Sequence, residues 1–156
     1  MAENPPAASE SWWLTPVDTA HEVFRRSTSA KDAPGISEAR RRLTHWAGAA
    51  GLQPDTVEDI ALASYEALTN AAEHAYASAN GNGNGTGNGD VDLFAGFLMG
   101  GLLRVTVRDH GRWLTPADPG YRGRGLMMMN GLTDCTGFEI GEWGTVVHLG
   151  WNAAPS

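Results

Sequence analysis

The longest regular pattern of apolar and polar positions in the chain has the period of an α-helix and runs from about residue 55 to residue 77. At about 100° per residue, Asp59, Glu66, Asn70 and Glu73 fall on one side. The small and apolar positions form a stripe about 120° wide on the other side: Val57, Ile60, Ala61, Ser64, Leu68, Ala71, Ala72 and Ala75. This pattern predicts an amphipathic helix that buries the apolar stripe.

Before this helix, the pattern predicts a short strand over residues 21–28 and a first helix from Ser37 to Ala50. Pro34 and Gly35 are expected to break the chain between them, Ser37 to cap the helix, and Gly51 to end it.

After the long helix, the pattern predicts two strands, over 91–98 and 102–109, joined through a Gly100-Gly101 turn. A short helix over 125–134 and strands near 136–141 and 144–151 follow, with a turn at Trp143-Gly144. This order predicts an α/β fold, a two-layer sandwich with helices on one face of a mixed, mostly antiparallel sheet.

Two segments lack the composition of a core. Residues 1–19 are rich in Pro, Ala, Ser and Glu and are expected to form a flexible arm, although Trp12 and Trp13 should dock on the domain or on a partner. Residues 79–90 are of low complexity, almost entirely glycine and asparagine. We therefore expect a single domain over residues 20–152 with a loop insert at 80–90.

The length and charge of the chain restrict its class. Its 156 residues suit one domain, and the formal net charge is −7 with a single lysine, Lys31. A protein that binds the phosphate backbone of nucleic acid needs a clustered basic face. The short run from Arg40 to Arg42 is explained by a solvated helix face, so we expect no direct contact with nucleic acid.

The chain carries one cysteine, Cys135, which excludes an internal disulfide and favours a reducing compartment. No apolar run approaches the roughly 20 residues that cross a bilayer. The first residues, MAENPPAASES, lack the basic and apolar parts of a signal peptide. These features predict a cytoplasmic protein without membrane contact.

Glu66 and Asn70 are a first candidate for chemistry, since a spacing of four places both on one helix face. A carboxylate and an amide there can hold a hydroxyl group and a magnesium ion. The alternative is a solvated polar face.

Asp109 is a second candidate, because side-chain direction in a strand has period two. In LLRVTVRD it continues the apolar row of Leu103, Val105 and Val107. A carboxylate at the end of a buried row needs a hydrogen-bond donor, such as the amino group of adenine. The alternative is a turn or cap just after the strand.

A third candidate is the glycine-rich stretch GYRGRGLMMMNGL, residues 120–132. Gly123 and Gly125 precede a helix expected to begin near Leu126, and backbone amides at a helix start can cradle phosphate. Arg122 and Arg124 could add charge. An ordinary structural turn would have the same composition. The chain has neither a GxxxxGK[ST] loop nor a GxSxG motif, and its five histidines lack the spacing of zinc ligands.

Taken together, these motifs resemble the four boxes of the GHKL, or Bergerat-fold, ATPases. SYEALTNAAEHAY is similar to the asparagine box, VRDHG to the first glycine box, GRGL to the second and GTVVHL to the last. They occur in the family's order over residues 57–150. Within the superfamily the chain most resembles the serine-kinase anti-sigma factors, which have the form EAxTNAxxHAY.

The resemblance implies a two-layer α/β sandwich that binds ATP and Mg²⁺ between helices and sheet. It also implies two protein partners, a sigma factor and an anti-sigma factor antagonist that is phosphorylated on serine. Such regulators often pair, so a homodimer is an expectation.

The resemblance assigns roles by position. Glu66 would be the general base, and Asn70 would hold Mg²⁺. The remaining assignments concern nucleotide binding: Asp109 to the adenine amino group, Gly111 making room for the ring, Thr145 supporting through a water, and Gly123, Arg124, Gly125 and Leu126 around the phosphates. Thr145 shares a row with Val147 and Leu149, so its hydroxyl is also expected to point inward.

One position departs from the family pattern. The usual DxGxG reads Asp109-His110-Gly111-Arg112-Trp113, with tryptophan in place of the second glycine. A second function therefore stays open, in which the chain is a nucleotide-binding module that sequesters a sigma factor or another regulator without kinase activity. A sensor histidine kinase would need a dimerising helical hairpin upstream, and only about 50 residues precede the nucleotide helix.

Overall fold

A computed structural model describes residues 11–81, 89–110, 131–141 and 143–153, with the backbone alone described from 74 to 81. Within these ranges, a 3-10 turn at Trp12–Leu14 precedes five strands and two long α-helices. In chain order these are β1 (Phe24–Ser29), α1 (Ala33–Ala49), α2 (Pro54–Gly81), β2 (Asp90–Leu98), β3 (Leu102–Asp109), β4 (Cys135–Gly141) and β5 (Gly144–Asn152).

The five strands form one sheet in the order β1-β2-β3-β5-β4, and every neighbouring pair in the described chain is antiparallel. Gly100 and Gly101 both have positive φ, 97° and 89°, which suits the tight turn between β2 and β3. Both helices pack on one face of the sheet, α1 over β1 and α2 over β2, β3 and β5. The predicted two-layer sandwich is confirmed.

The start of α1 differs from the prediction. The helix begins at Ala33, and Asp32 caps it by accepting a hydrogen bond from the amide of Gly35 at 2.9 Å. Pro34 and Gly35, which we expected to break the chain, lie in the first helical turn. Proline is tolerated there because the first amides of a helix have no partner within it. The predicted cap at Ser37 is therefore wrong, whereas the end at Gly51, with φ of 85°, is confirmed.

Helix α2 is longer and more deeply buried than the pattern indicates. It begins at Pro54 and continues to Gly81, beyond the predicted end at residue 77 and into the first two residues of the predicted insert. Ala63 and Ala67, outside the predicted stripe, are fully buried. No helix in the described ranges is both long enough and apolar enough to span a bilayer.

Residues 11–18 lie against the opposite face of the sheet. Trp12 exposes only 2% of its surface, packs with Leu98 and Leu102, and donates from its indole nitrogen to the carbonyl of Thr136 at 3.1 Å. An isolated bridge joins Val17 to Leu98. Trp12 and Trp13 therefore dock on the domain itself, one of the two alternatives expected. The division into an arm over 1–19 and a domain over 20–152 stays a prediction.

Candidate functional site

The two candidate residues of α2 lie one helical turn apart on the same side of the helix. Tyr65 and Thr69 line a cleft of about 270 Å³ shared with α1. Glu66 and Asn70 are half-buried on another side, next to the fully buried Ala63. The amide nitrogen of Asn70 is buried and has no hydrogen-bond partner among the described residues. A buried polar atom of this kind needs a partner beyond the described residues, which can be another part of the chain, a water or a ligand.

The other two described candidates face each other in the sheet. Asp109, at the end of β3, and Thr145, at the start of β5, are Cα partners in register, and each exposes 1% of its surface. Both belong to the rows that pack against the helices, with Val107 and Val147 as the next pair. The period-two argument for both residues is therefore confirmed as regards burial and direction.

The candidates on α2 and on the sheet lie at the same end of the domain. Ala30, which follows β1, lines the cleft with Tyr65 and Thr69 and donates from its amide to the carbonyl of Gly89 at 2.6 Å. At this end of the sheet, Thr28 of β1 is paired with Val91 of β2. Val91 is in turn paired with Asp109 of β3. The middle of α2 therefore lies at the end of the sheet that carries Asp109 and Thr145.

Gly144 makes the approach of β5 to Asp109 feasible, and the sequence reasoning did not single it out for this. Its φ is 133°, a conformation that residues with a side chain rarely adopt. A Cβ atom at this position would overlap the backbone carbonyl oxygen of Asp109. Both the positive φ and the close contact arise only in the folded backbone. The presence of a glycine at position 144 is the one sign of them in the sequence.

The remaining predicted site residues lie outside the described part of the chain. These are Gly111, Gly123, Arg124, Gly125 and Leu126, together with Trp113 and most of the predicted helix over 125–134. Residues 131 and 132 are helical, and the indole nitrogen of Trp151 donates to the carbonyl of Leu132 at 2.8 Å. The four described candidates thus lie at one end of the sandwich. The roles of the other residues around the adenine ring and the phosphates stay predictions.

A second polar cluster lies on the opposite face of the sheet, beneath Trp13, and sequence reasoning missed it. His148 hydrogen-bonds to Thr106 at 3.0 Å and to Glu139 at 2.9 Å, and Arg104 donates to the carbonyl of Trp13 at 2.8 Å. Burial lowers the pKa of Arg104 and of His148, and in both cases Glu139 opposes that shift. This cluster is separated from Asp109 by the sheet.

The single cysteine has no sign of reactivity. Burial, with a smaller contribution from the charge of Asp134, raises the pKa of the Cys135 thiol to about 12. A thiol with so high a pKa is protonated at neutral pH and is a poor nucleophile. Cys135 is therefore a structural residue of β4.

This geometry matches known structures of one fold. The RsbU and RsbW domains of Rv1364c from Mycobacterium tuberculosis align with a TM-score of 0.64 and 22% identity, over 85% of this chain and 33% of that one. The histidine kinase domain of a blue-light activated histidine kinase from Erythrobacter litoralis aligns with a TM-score of 0.51 and 22% identity, over 80% of this chain and 64% of that one.

The chain therefore spans a third of the first structure and less than two thirds of the second. At this identity the likeness concerns the fold. A comparison with curated proteins finds no match.

A family model described as the histidine kinase-like ATPase domain matches residues 28–151. The matched range includes the last two residues of β1, both helices, strands β2 to β4 and β5 as far as Trp151, and thus every described candidate residue. This family match confirms the resemblance to the GHKL ATPases that the four sequence boxes indicate. The chain belongs to the family of histidine kinase-like ATPase domains.

Proposed function

We propose that this domain binds ATP with Mg²⁺ and acts as a serine/threonine protein kinase on an anti-sigma factor antagonist. The observation that supports it most is the pair of buried polar residues, Asp109 and Thr145, opposite each other on the face of the sheet that packs against α2. Burying a charge is costly unless hydrogen-bond donors surround it, and a carboxylate held in this way can also accept a hydrogen bond from a ligand. The adenine amino group is a donor of the right kind.

The residues present fit a nucleotide with its metal. Asp109 would accept from the adenine amino group, with Thr145 beside it on β5. The carboxamide of Asn70 already has one buried atom without a described partner, and its oxygen would be a ligand of the kind that Mg²⁺ prefers. Gly111, Gly123, Arg124, Gly125 and Leu126 are proposed to surround the ring and the phosphates. Mg²⁺, when bound, neutralises charge on the phosphates and orients them.

Glu66 is the proposed general base. It lies one helical turn before Asn70 on the same side of α2, so a carboxylate stands next to the proposed metal ligand. In the transfer reaction this carboxylate would take the proton from the hydroxyl of the target serine as that oxygen attacks the terminal phosphate. Positioned bases of this sort typically accelerate proton transfer about 10²- to 10⁴-fold.

The proposed partners are proteins. The similarity to a structure that contains an RsbW domain, together with the EAxTNAxxHAY form of the asparagine box, supports a sigma factor and its antagonist as partners and a cytoplasmic location. The net charge of −7 with one lysine favours a protein partner over nucleic acid. A homodimer is part of this proposal.

The test begins with a pulldown from native lysate in the presence of ATP and Mg²⁺, followed by identification of the bound proteins. Transfer of labelled γ-phosphate to a captured antagonist is then measured with the purified proteins. Serine phosphorylation of the antagonist is the expected result. A parent protein that binds ATP and its partner but never transfers phosphate would instead establish the sequestering module without kinase activity. Absence of ATP binding would overturn both functions.

A further inference from the structure

The residue after Asp109 is anchored on the other face of the sheet. His110 donates from Nε2 to a carboxylate oxygen of Asp92 at 2.8 Å, and both side chains are mostly buried. Asp92 lies on β2 directly opposite Arg108, and His110 lies two residues farther along. The contact is thus diagonal across the β2–β3 pair, a distance that long side chains can bridge.

Asp92 also connects β1 to β2 at this end of the sheet. The hydroxyl of Ser27 on β1 donates to its other carboxylate oxygen, and Ser27 and Asp92 are Cα partners. One carboxylate on the face away from the helices therefore holds β1 and the end of β3 to β2. Neither of its contacts reaches the helix face.

The contact lies where the chain leaves β3. Asp109 is the last residue of the strand, and the last residues of strands and helices open most readily because fewer contacts hold them. Asp109 is paired with Val91 on β2 and with Thr145 on β5, and the side chain of the next residue, His110, returns to β2. A carboxylate that is already held in place binds a ligand more tightly, since less freedom is lost on binding.

We propose that Asp92 and His110 are positioning residues that fix the end of β3, and thereby hold the Asp109 carboxylate in the orientation in which it reads adenine. The proposal rests on the nucleotide-binding function proposed above. Neither residue touches the nucleotide, because both side chains lie on the opposite face of the sheet.

The test is ADP affinity in a double-mutant cycle. Asp92→Ala and His110→Ala should each weaken ADP binding about tenfold, the effect expected when one partner of a charge-assisted hydrogen bond is lost. The double variant should bind no more weakly than either single variant, because both remove the same contact. Asp92→Asn keeps an oxygen acceptor and should restore affinity to within about threefold of the parent.

A matched control and a second measurement separate positioning from general loss of structure. Ser27→Ala removes the other hydrogen bond of Asp92, on the β1 side, and should leave ADP affinity unchanged. In the protein without nucleotide, His110→Ala should accelerate amide hydrogen exchange over residues 107–110 and not in β1.

Parent-like exchange over residues 107–110, or parent-like ADP affinity in Asp92→Ala, would overturn the inference while leaving the nucleotide site intact. Independent, additive losses in the double variant would also overturn it. A parent protein that binds no ADP at all would overturn the proposed function, and this inference with it.

Discussion

The indole ring of Trp13 lies parallel to the imidazole of His148, with 5.3 Å between the ring centroids and 9° between the planes. The two hydrogen bonds of His148 suit its neutral form, in which Nε2 donates to Glu139 and Nδ1 accepts from the hydroxyl of Thr106. Desolvation by burial lowers the pKa of His148 from its ordinary value of 6.5, although the hydrogen bond and charge of Glu139 oppose this. The N-terminal segment thus stacks on a histidine that the fold keeps neutral.

The free energy of unfolding should depend on pH through the protonation of His148. A lowered pKa in the folded state means that the unfolded chain binds the proton more readily. The contribution of His148 is complete above about pH 6.5 and decreases as the pH falls below that value towards the lowered pKa. Urea unfolding between pH 7.5 and pH 5 should therefore show a larger loss of stability in the parent than in His148→Gln. Equal losses in the two proteins would mean that His148 has the same pKa in both states.

The docking of residues 11–18 should stabilise the domain. Trp12→Ala removes a fully buried indole and its hydrogen bond to Thr136, and should lower the free energy of unfolding by about 3–5 kcal/mol. Leu14→Ala is the matched control, because Leu14 lies in the same segment with 70% of its surface exposed, and should change the value by no more than about 0.5 kcal/mol. Chemical denaturation measures both. A Trp12→Ala variant as stable as the control would show that the segment is detached in solution.

Gly144→Ala should be destabilising and should also weaken nucleotide binding. Its φ of 133° and the overlap with the carbonyl of Asp109 make a side chain costly there, by about 1–3 kcal/mol. Gly48→Ala is the opposite case, since Gly48 lies within α1 and its added Cβ meets nothing, so about 0.5–1 kcal/mol of stabilisation is expected. Thermal unfolding and ADP titration of the two variants check the pair. A Gly144→Ala variant with parent-like stability would show that β5 can shift without cost.

Most of the sheet could be predicted from the sequence because its signals are local. Strand alternation placed Asp109 and Thr145 on the inner face, and two glycines marked the turn between β2 and β3. The docking of Trp12 on Thr136 joins residues 124 positions apart, and no local pattern can indicate such a partner. Asp92 and His110 likewise depend on the pairing of β2 with β3.

The errors of prediction concern the helix boundaries, where two readings of the same residues compete. Proline and glycine break helices in general, yet Asp32 provides the cap that lets Pro34 enter the first turn of α1. The apolar stripe predicts that α2 ends near residue 77, and the asparagine and glycine that follow are poor helix formers. The helix nevertheless includes them, as often happens at the end of an element whose earlier turns are well packed.

Asp109→Asn should weaken ADP binding about ten- to a hundredfold. The substitution keeps the size of the side chain but replaces part of the acceptor with a donor, which would face the donor of the adenine amino group. A mismatch of this kind costs about 1–3 kcal/mol. Asp55→Asn, at the exposed start of α2, is the control and should bind as the parent does. Equal ADP affinity of Asp109→Asn and the parent in isothermal titration would remove Asp109 from the site.

Glu66 distinguishes a kinase from a sequestering module. Glu66→Gln keeps the size and most of the hydrogen bonding of the side chain but cannot accept a proton, so phosphate transfer should fall about 10²- to 10⁴-fold. Binding of ATP and of the partner should remain near normal, because the proposed base contacts the incoming hydroxyl. Asn70→Ala should behave differently and weaken Mg²⁺-ATP binding itself, since it removes the proposed metal ligand. Glu58→Gln, exposed near the start of the same helix, is the control for the chemical change.

Binding and transfer must be measured on the same preparations for these variants to be informative. Labelled γ-phosphate transfer to the captured antagonist gives the rate, and titration with ATP and Mg²⁺ gives the affinity. A rate in Glu66→Gln equal to that of the parent would return Glu66 to the solvated face of α2. An Asn70→Ala variant with unchanged Mg²⁺-ATP affinity would mean that the buried carboxamide has a structural role, and that the metal is held by other residues.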